Sequence, residues 1–493
     1  MSSIYEKYEP VIGLEVHAQM KTKTKAFCGC PADFHAPPNS NVCPVCLGHP
    51  GVLPVLNKEL IDFAIRMGLA TKCSIRENTL FARKNYFYPD LSKGYQITQF
   101  ETPLCYDGLV NIRLKDRSVK RIGITRIHIE EDAGKSIHDF SDNDTLVDFN
   151  RCGVPLIEIV SEPDMNSSDE AHRYLYKIRQ ILVYLGINDG NLEEGSMRCD
   201  ANISVRLKGD SKLGTRTEIK NLNSFKNVVD AIEAEIKRQV DLIEAGEKVS
   251  YHTMTYNAKD KTTSHTRSKE EAHDYRYFPE PDLVRLHVSS EQIEKVREIL
   301  PEPPDERSER FNSQYSLTET EAEEITSEKP LADFFESIVD QLKKKDDKTF
   351  KTSANIFRVD VKRVLNEEKI DISTFHLSPA VLANLADSVS EGTISASASR
   401  EVFTELLAAK DASEQSKLFG ELENKYRQVS GESEIEEIVK SVLSENKDEV
   451  ERYKSGEKKL AGFFVGKVMQ ASKGKANPKI VNELLIKNLE VKL

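Results

Sequence analysis

Over roughly the first 290 residues, apolar positions recur mainly at every second residue, in short runs separated by Gly, Pro, Asn and Asp. That period belongs to strands with one covered face, because side chains alternate across a pleated backbone. Val11–His17, Arg126–Glu130, Leu156–Val160, Arg198–Arg206 and Thr215–Asn221 are the clearest runs. Two segments switch to a helical period. Ser168 reads as a cap before Asp169 and Glu170, and the stripe Ala171, Leu175, Ile178, Leu182, Leu185 predicts a helix that stops at Gly186. A second helix is predicted from Ser224 to about Gly246, on the stripe Phe225, Val228, Ile232, Ile236 and Ile243. Strands without regular strand–helix alternation predict an α+β domain with a mainly antiparallel sheet.

The texture changes at Pro301–Arg307, a stiff polar stretch suited to a linker. Beyond it, charged amphipathic helices run almost to the end, with breaks at 391–399 and 431–433. The expected division is 1–292, 293–407 and 408–493, the last two parts all-α. A chain of 493 residues is too long for one ordinary core, which agrees with several domains. No apolar run approaches the roughly 20 residues of a membrane helix. The opening MSSIYEKYEP lacks the basic and apolar segments of an export signal. A cytoplasmic protein without membrane contact is expected.

A net charge of −12 argues against nucleic-acid binding by the molecule as a whole, and DNA is not an expected partner. The charge is uneven, however. From Glu451 to Leu493 ten Lys and Arg stand against four Glu, including Lys458, Lys459, Lys473 and Lys475. Such a stretch can track phosphates or be an ordinary solvated helical face, and charge alone does not choose.

Of the eight cysteines, Cys73, Cys105, Cys152 and Cys199 sit in apolar contexts and read as buried thiols. Cys28, Cys30, Cys43 and Cys46 are clustered as C-x-C and C-P-x-C, twelve residues apart. Four thiolates closing such a loop suit tetrahedral zinc and leave no open position, so the site is structural.

Several strands carry polar faces of an unusual kind. Glu15 and His17 project together. Arg126, His128 and Glu130 do likewise, and Glu158 interrupts an apolar strand. Arg198, Asp200, Asn202, Ser204 and Arg206 share one face, and Arg216, Glu218 and Lys220 repeat the scheme. A watered sheet face is the plain alternative for any one of these. Together they place Asp, Asn, Ser, His and Arg in strands that disfavour Asp and Asn. Carboxylates among cationic donors suit Mg²⁺ and a nucleotide polyphosphate. His17 is an atypical Mg²⁺ ligand and can instead orient a carboxylate or phosphate. Two loops, Arg83–Asp90 and Asp274–Pro279, interleave basic and aromatic residues that can stack an unpaired base, or simply form a packed aromatic corner. Gly134-Lys135-Ser136 resembles the end of a phosphate-binding loop, but Ile129 stands where its leading Gly belongs.

The segments VIGLEVHAQ, PNSN, GVLPVLN, RKNYFYPDLSKGYQITQ, IHIEEDAGKS, GVPLIEIVSEPD, EEGSMRCDANISVR, EIKNLNSF and DYRYFPEPDL closely resemble the B subunit of the trimeric tRNA-dependent amidotransferase. The ending GFFVGKVMQASKGKANPKIVNELL is similar to that family's tail domain. The resemblance covers essentially the whole chain. It implies an ATP- and Mg²⁺-dependent carbon–nitrogen ligase that phosphorylates the side-chain carboxylate of Glu-tRNA(Gln) or Asp-tRNA(Asn). Ammonia, made from glutamine on a separate amidase (A) subunit and channelled through a tunnel, then displaces the phosphate. A small C subunit completes the heterotrimer.

The resemblance also implies residue roles. Glu15, His17, Glu130, Glu158 and Asp200 belong to catalysis, the first four to the Mg²⁺ site, with Glu131 the rival to Glu130. Lys84, Arg198, Asn202, Ser204, Glu218, Lys220 and Asn221 line the ATP and acyl-phosphate pocket. From the residue pattern, Arg83, Tyr86 and Tyr88 of the first basic–aromatic loop and Lys458, Lys459, Lys473 and Lys475 of the basic tail are the expected tRNA contacts. The four clustered cysteines match the family's zinc-bearing branch. Two rivals are a non-catalytic tRNA-binding zinc protein and a zinc-dependent hydrolase. An RNA-only face would avoid so many carboxylates, and a four-thiolate site has no position for substrate.

Overall fold

The computed structural model describes residues 5–33, 35–137, 144–265, 275–428, 432–472 and 476–490. It divides into two compact units, Met1–Pro303 and Pro304–Leu493.

The first unit is built on a nine-stranded sheet. Across it the strands run in the order 262–265, 253–257, 217–222, 197–207, 8–19, 155–161, 119–131, 105–113 and 74–75. All pairs are antiparallel except 217–222 with 253–257, which is parallel. The period-two reading explains the sheet's two faces. Ile12, Leu14, Val16 and Ala18 are fully buried, as are Ile127, Ile129, Ile157, Ile159, Ala201 and Ile203. This face packs beneath the helices Ser168–Tyr184 and Phe225–Glu244, which also touch each other.

Each helix begins at a serine whose hydroxyl accepts a backbone N–H, Ser167 from Glu170 and Ser224 from Asn227. The first cap is Ser167 rather than Ser168, which is already helical. Gly186, at φ +68°, closes the first helix in the left-handed conformation that glycine tolerates best. A smaller three-stranded sheet, 278–279 with 82–85 and 95–98, supplies side chains to the opposite, polar face of the large sheet.

The helix Ser290–Glu298 packs on the helix Glu59–Ala70, where Gln292 donates to Asp62 at 3.0 Å and Val296 enters the first core. The expected break at 292 therefore moves to Pro303, because it would cut through a helix that packs as one piece on the first core. Pro304 opens the next helix, Pro304–Gln314, at a position where a missing N–H costs nothing.

The second unit is helical among its described residues and contains two separate apolar clusters. One runs from Phe311 to Leu422 and the other from Ile435 to Leu489. The helix Ala412–Lys425 contributes Phe419 and Leu422 to the former. The expected break at 407 thus falls inside one cluster, and the tail begins after residue 428. Among the described residues, no helix is long and apolar enough to cross a membrane.

Ile203 is fully buried under the helices, whereas Leu207 in the same strand is 55% exposed. Ile203→Ala should cost about 2–5 kcal/mol by the cavity it leaves. Leu207→Ala should stay within about 0.5 kcal/mol. Urea unfolding followed by circular dichroism distinguishes the two.

Candidate functional site

The polar face gathers side chains from five adjacent strands. Antiparallel register sets Glu15 opposite Asp200, His17 opposite Glu158, Glu158 opposite His128, and Asn202 opposite Glu218. Because directly paired residues point the same way, these side chains converge. His17 Nδ1 lies 3.3 Å from Glu130 Oε1 and 3.8 Å from Glu158 Oε2, and its Nε2 is 4.0 Å from Asp200. His128 Nε2 approaches Glu158 to 3.2 Å and Glu130 to 3.9 Å. Asn202 donates to Glu15 at 2.8 Å. Lys220 reaches Glu218 at 2.8 Å and Asp200 at 3.5 Å. Glu15, His17, His128, Glu130, Glu158, Glu218 and Lys220 border a cleft of about 290 Å³, whose other wall carries Lys84, Thr98, Tyr275 and Tyr277, while Asp200 and Asn202 stand behind this lining.

Electrostatics separates the acids. Burial pushes the Glu15 carboxyl up, and Glu158 and Glu218 push it further. Burial acts the same way on Glu158, yet His128, His17 and Lys84 outweigh it and hold this carboxyl well below the usual range. Burial opposes charge on His17, but Glu158 and the hydrogen bond to Glu130 raise it to about 9. Lys84 is likewise kept charged against burial, mainly by Glu130. Neighbouring carboxyls pushed in opposite directions mark a site built for charge handling.

Two sets of donors lie within 4.8 Å of one another, Glu15 with His17 and Glu158, and His128 with Glu130 and Glu158. Glu158 belongs to both. The buried Nδ1 of His128 has no hydrogen-bond partner among the described residues. Oxygen donors from several strands, in a cleft with buried imidazoles, fit a divalent cation. Of the adjacent acids it is Glu130 that enters this cluster. Glu131 turns to the far side of its strand, pairs with Lys93 and accepts the Ile97 N–H at 2.9 Å.

Not every expected residue arrives. Arg198 is committed to Asp132 at 2.5 Å and does not line the cleft. Ser204 is buried away from the lining, and Asn221 only offers its backbone N–H to Asp200 at 3.0 Å. Arg83 forms a two-pronged pair with Glu280, 2.7 Å on each arm, and reaches Asp282 at 3.0 Å, so its guanidinium is already satisfied within the chain. Tyr86 is half-buried and Tyr88 half-exposed beside it. Lys458 sits over the Tyr453 ring at 4.3 Å, and Lys459 is exposed. Lys473 and Lys475 lie outside the described residues, as does Asp274 of the second aromatic loop. Sequence reasoning passed over His128, although strand alternation had placed it on the right face. It also missed Thr98 and Tyr277 as cleft walls, since those arrive from outside the large sheet.

The four clustered cysteines converge, with all sulfurs within 4.8 Å. Cys43 donates its backbone N–H to Cys46 Sγ at 3.2 Å, as a knuckle turn requires. Four sulfurs closing on one point suit a structural metal. Lys25, fully buried, places its ammonium 3.6 Å from Cys46 Sγ, offsetting part of the charge such a site carries. No spacing rule signalled this lysine.

Comparison with known proteins agrees over both units. A family model described as the GatB/GatE catalytic domain matches residues 10–294, and one described as the GatB domain matches 333–489. The aspartyl/glutamyl-tRNA(Asn/Gln) amidotransferase B subunit of Thermodesulfovibrio yellowstonii is 52% identical, the alignment covering 98% of this chain and all of that protein. Its namesake from Myxococcus xanthus is 51% identical, with 98% of each chain covered. That from Chlorobium phaeobacteroides is 49% identical over 98% of this chain and 99% of its own. The chain belongs to the family of aspartyl/glutamyl-tRNA(Asn/Gln) amidotransferase B subunits.

Proposed function

We propose that the cleft phosphorylates the side-chain carboxylate of Glu on tRNA(Gln) and of Asp on tRNA(Asn), using ATP, and then amidates it. The observation that carries this reading is the convergence of Glu15, His17, Glu130 and Glu158 around one space faced by Lys84. In the first step a carboxylate oxygen of the aminoacyl group attacks the γ-phosphorus and ADP leaves. In the second, ammonia attacks the acyl carbon, loses a proton, and phosphate leaves. An unactivated carboxylate resists ammonia, so the phosphate leaving group is what makes the amide accessible.

Glu15, His17, His128, Glu130 and Glu158 would hold Mg²⁺, which when bound neutralises the polyphosphate and orients it. Asp200 positions both His17 and Lys220. Lys84 faces the transferring phosphoryl group, and Asn202 steadies Glu15. Ammonia would come from glutamine hydrolysed on the amidase (A) subunit, with the small C subunit completing the complex. A water-poor route keeps it neutral and nucleophilic. The names of the relatives support the tRNA substrates and a multi-subunit assembly. This chemistry belongs with the translation machinery of the cytoplasm. Zinc would occupy the four-cysteine site, and the tail from Glu432 onward would hold the tRNA body.

In the assembled complex, Glu158→Gln should lower Glu-tRNA-dependent phosphate release by about a hundredfold or more, given the several kcal/mol such a cation contributes. Glutamine hydrolysis on the partner subunit should persist. Phosphate release that survives Glu158→Gln would refute the site.

A chain purified without chelator should carry one zinc per molecule by elemental analysis. Cys43→Ser should lose it together with several degrees of melting temperature.

A chain ending at Gln428 should lose tRNA affinity in filter binding while keeping ATP affinity. Undiminished tRNA binding would remove the tail from the recognition surface.

A further inference from the structure

Lys25 is fully buried, yet among the described residues no carboxylate lies within ion-pairing distance of it. Its ammonium has two acceptors, Cys46 Sγ at 3.6 Å and the Phe149 carbonyl at 3.3 Å. Glu131 approaches the same spot across Gly153, but Lys93 claims it. An ammonium taken out of water is costly unless an anion balances it. Four thiolates around a divalent ion leave a net negative charge. The lysine and a filled cysteine site therefore each need what the other carries.

Lys25 also stands where the knuckle meets the strands behind the acids. The next residue, Ala26, donates its N–H to the Gly153 carbonyl at 2.8 Å. Gly153 donates to the Asp132 carbonyl at 2.9 Å, and Asp132 donates to that of Val154 at 2.8 Å. Asp132 follows Glu130 and Glu131 directly, and Val154 precedes the strand 155–161 that carries Glu158. A short ladder of backbone bonds thus runs from the knuckle to the ends of two acid-bearing strands.

We propose that Lys25 is a positioning residue that joins the four-cysteine centre and the acidic sheet face into one cooperative unit. As counter-charge it strengthens metal binding. Through Phe149 and Gly153 it passes occupancy on to the strands of Glu130 and Glu158. A lysine that only filled space would be replaceable by Met at no cost, since apolar groups of similar size commonly substitute for buried charge. The inference rests on a metal occupying the cysteine site, as proposed above.

The test uses the full chain with zinc as the probe, in competition with a chromophoric chelator. Lys25→Met, and Lys25→Gln as a second neutral variant, should lower zinc affinity by about ten- to a hundredfold, the usual cost of losing a group that supports a metal ligand. With zinc bound, both variants should melt below the unmodified chain. With the metal removed they should melt at or above it, because the ammonium then has no anion left to lose. Hydrogen exchange reads the link to the acids. In the zinc-loaded variants the amides of Asp132 and Gly153 should lose protection, as they do in the unmodified chain stripped of metal. Equal zinc affinity in all three chains, or a melting shift of the same sign with and without metal, overturns the counter-charge. Unaltered exchange at Asp132 and Gly153 overturns the link. If the unmodified chain takes up no zinc, the reading of the four cysteines falls and this inference with it, while the phosphorylation reading stands apart.

Discussion

Carboxylates crowd onto one buried sheet face only where positive charge compensates them, and that constraint shapes the first unit. Glu130, Glu158 and Asp200 are nearly fully buried, and Glu15 sits among them. Removing like charges from water and placing them a few ångströms apart is costly at low dielectric. His17 and His128 are interleaved between the acids, and Lys84 closes over them. Compensation is unequal, with Glu158 driven toward its ionised form and Glu15 away from it. A divalent cation would complete a balance that the protein's own residues leave unfinished on the Glu15 side.

Much of this was legible in the sequence because a strand's alternation is rigid. Once Ile12, Leu14 and Val16 were assigned to the core, Glu15 and His17 had to share the other face, and register did the rest. The same rule put Glu130, and not Glu131, on the face of His17. Alternation says nothing of how far along a face two side chains lie, nor which neighbour claims them first. Arg198 and Ser204 therefore pointed the right way without reaching the cleft, Arg198 having been captured by Asp132. Arg83 shows the limit for loops. Its basic–aromatic context suggested RNA, yet Glu280, remote in sequence, satisfies it.

Domain breaks were less legible than the site, and for a physical reason. Proline and charge mark where a helix ends, but they do not say which core that helix joins. The helices Ser290–Glu298 and Ala412–Lys425 each lie at or beyond a plausible break and each packs backward onto what precedes it. The cysteine cluster was readable from spacing alone, whereas its buried companion Lys25 could emerge only from three-dimensional proximity.

The clamp of Arg83 on Glu280 spans 197 residues of chain. Elongating ribosomes add roughly 5–20 residues each second, so many seconds separate the appearance of these partners. The large sheet's central strands have all emerged well before Glu280 does. Until then the strand 82–85 lacks its partner 278–279, and Arg83 lacks the carboxylate that holds it.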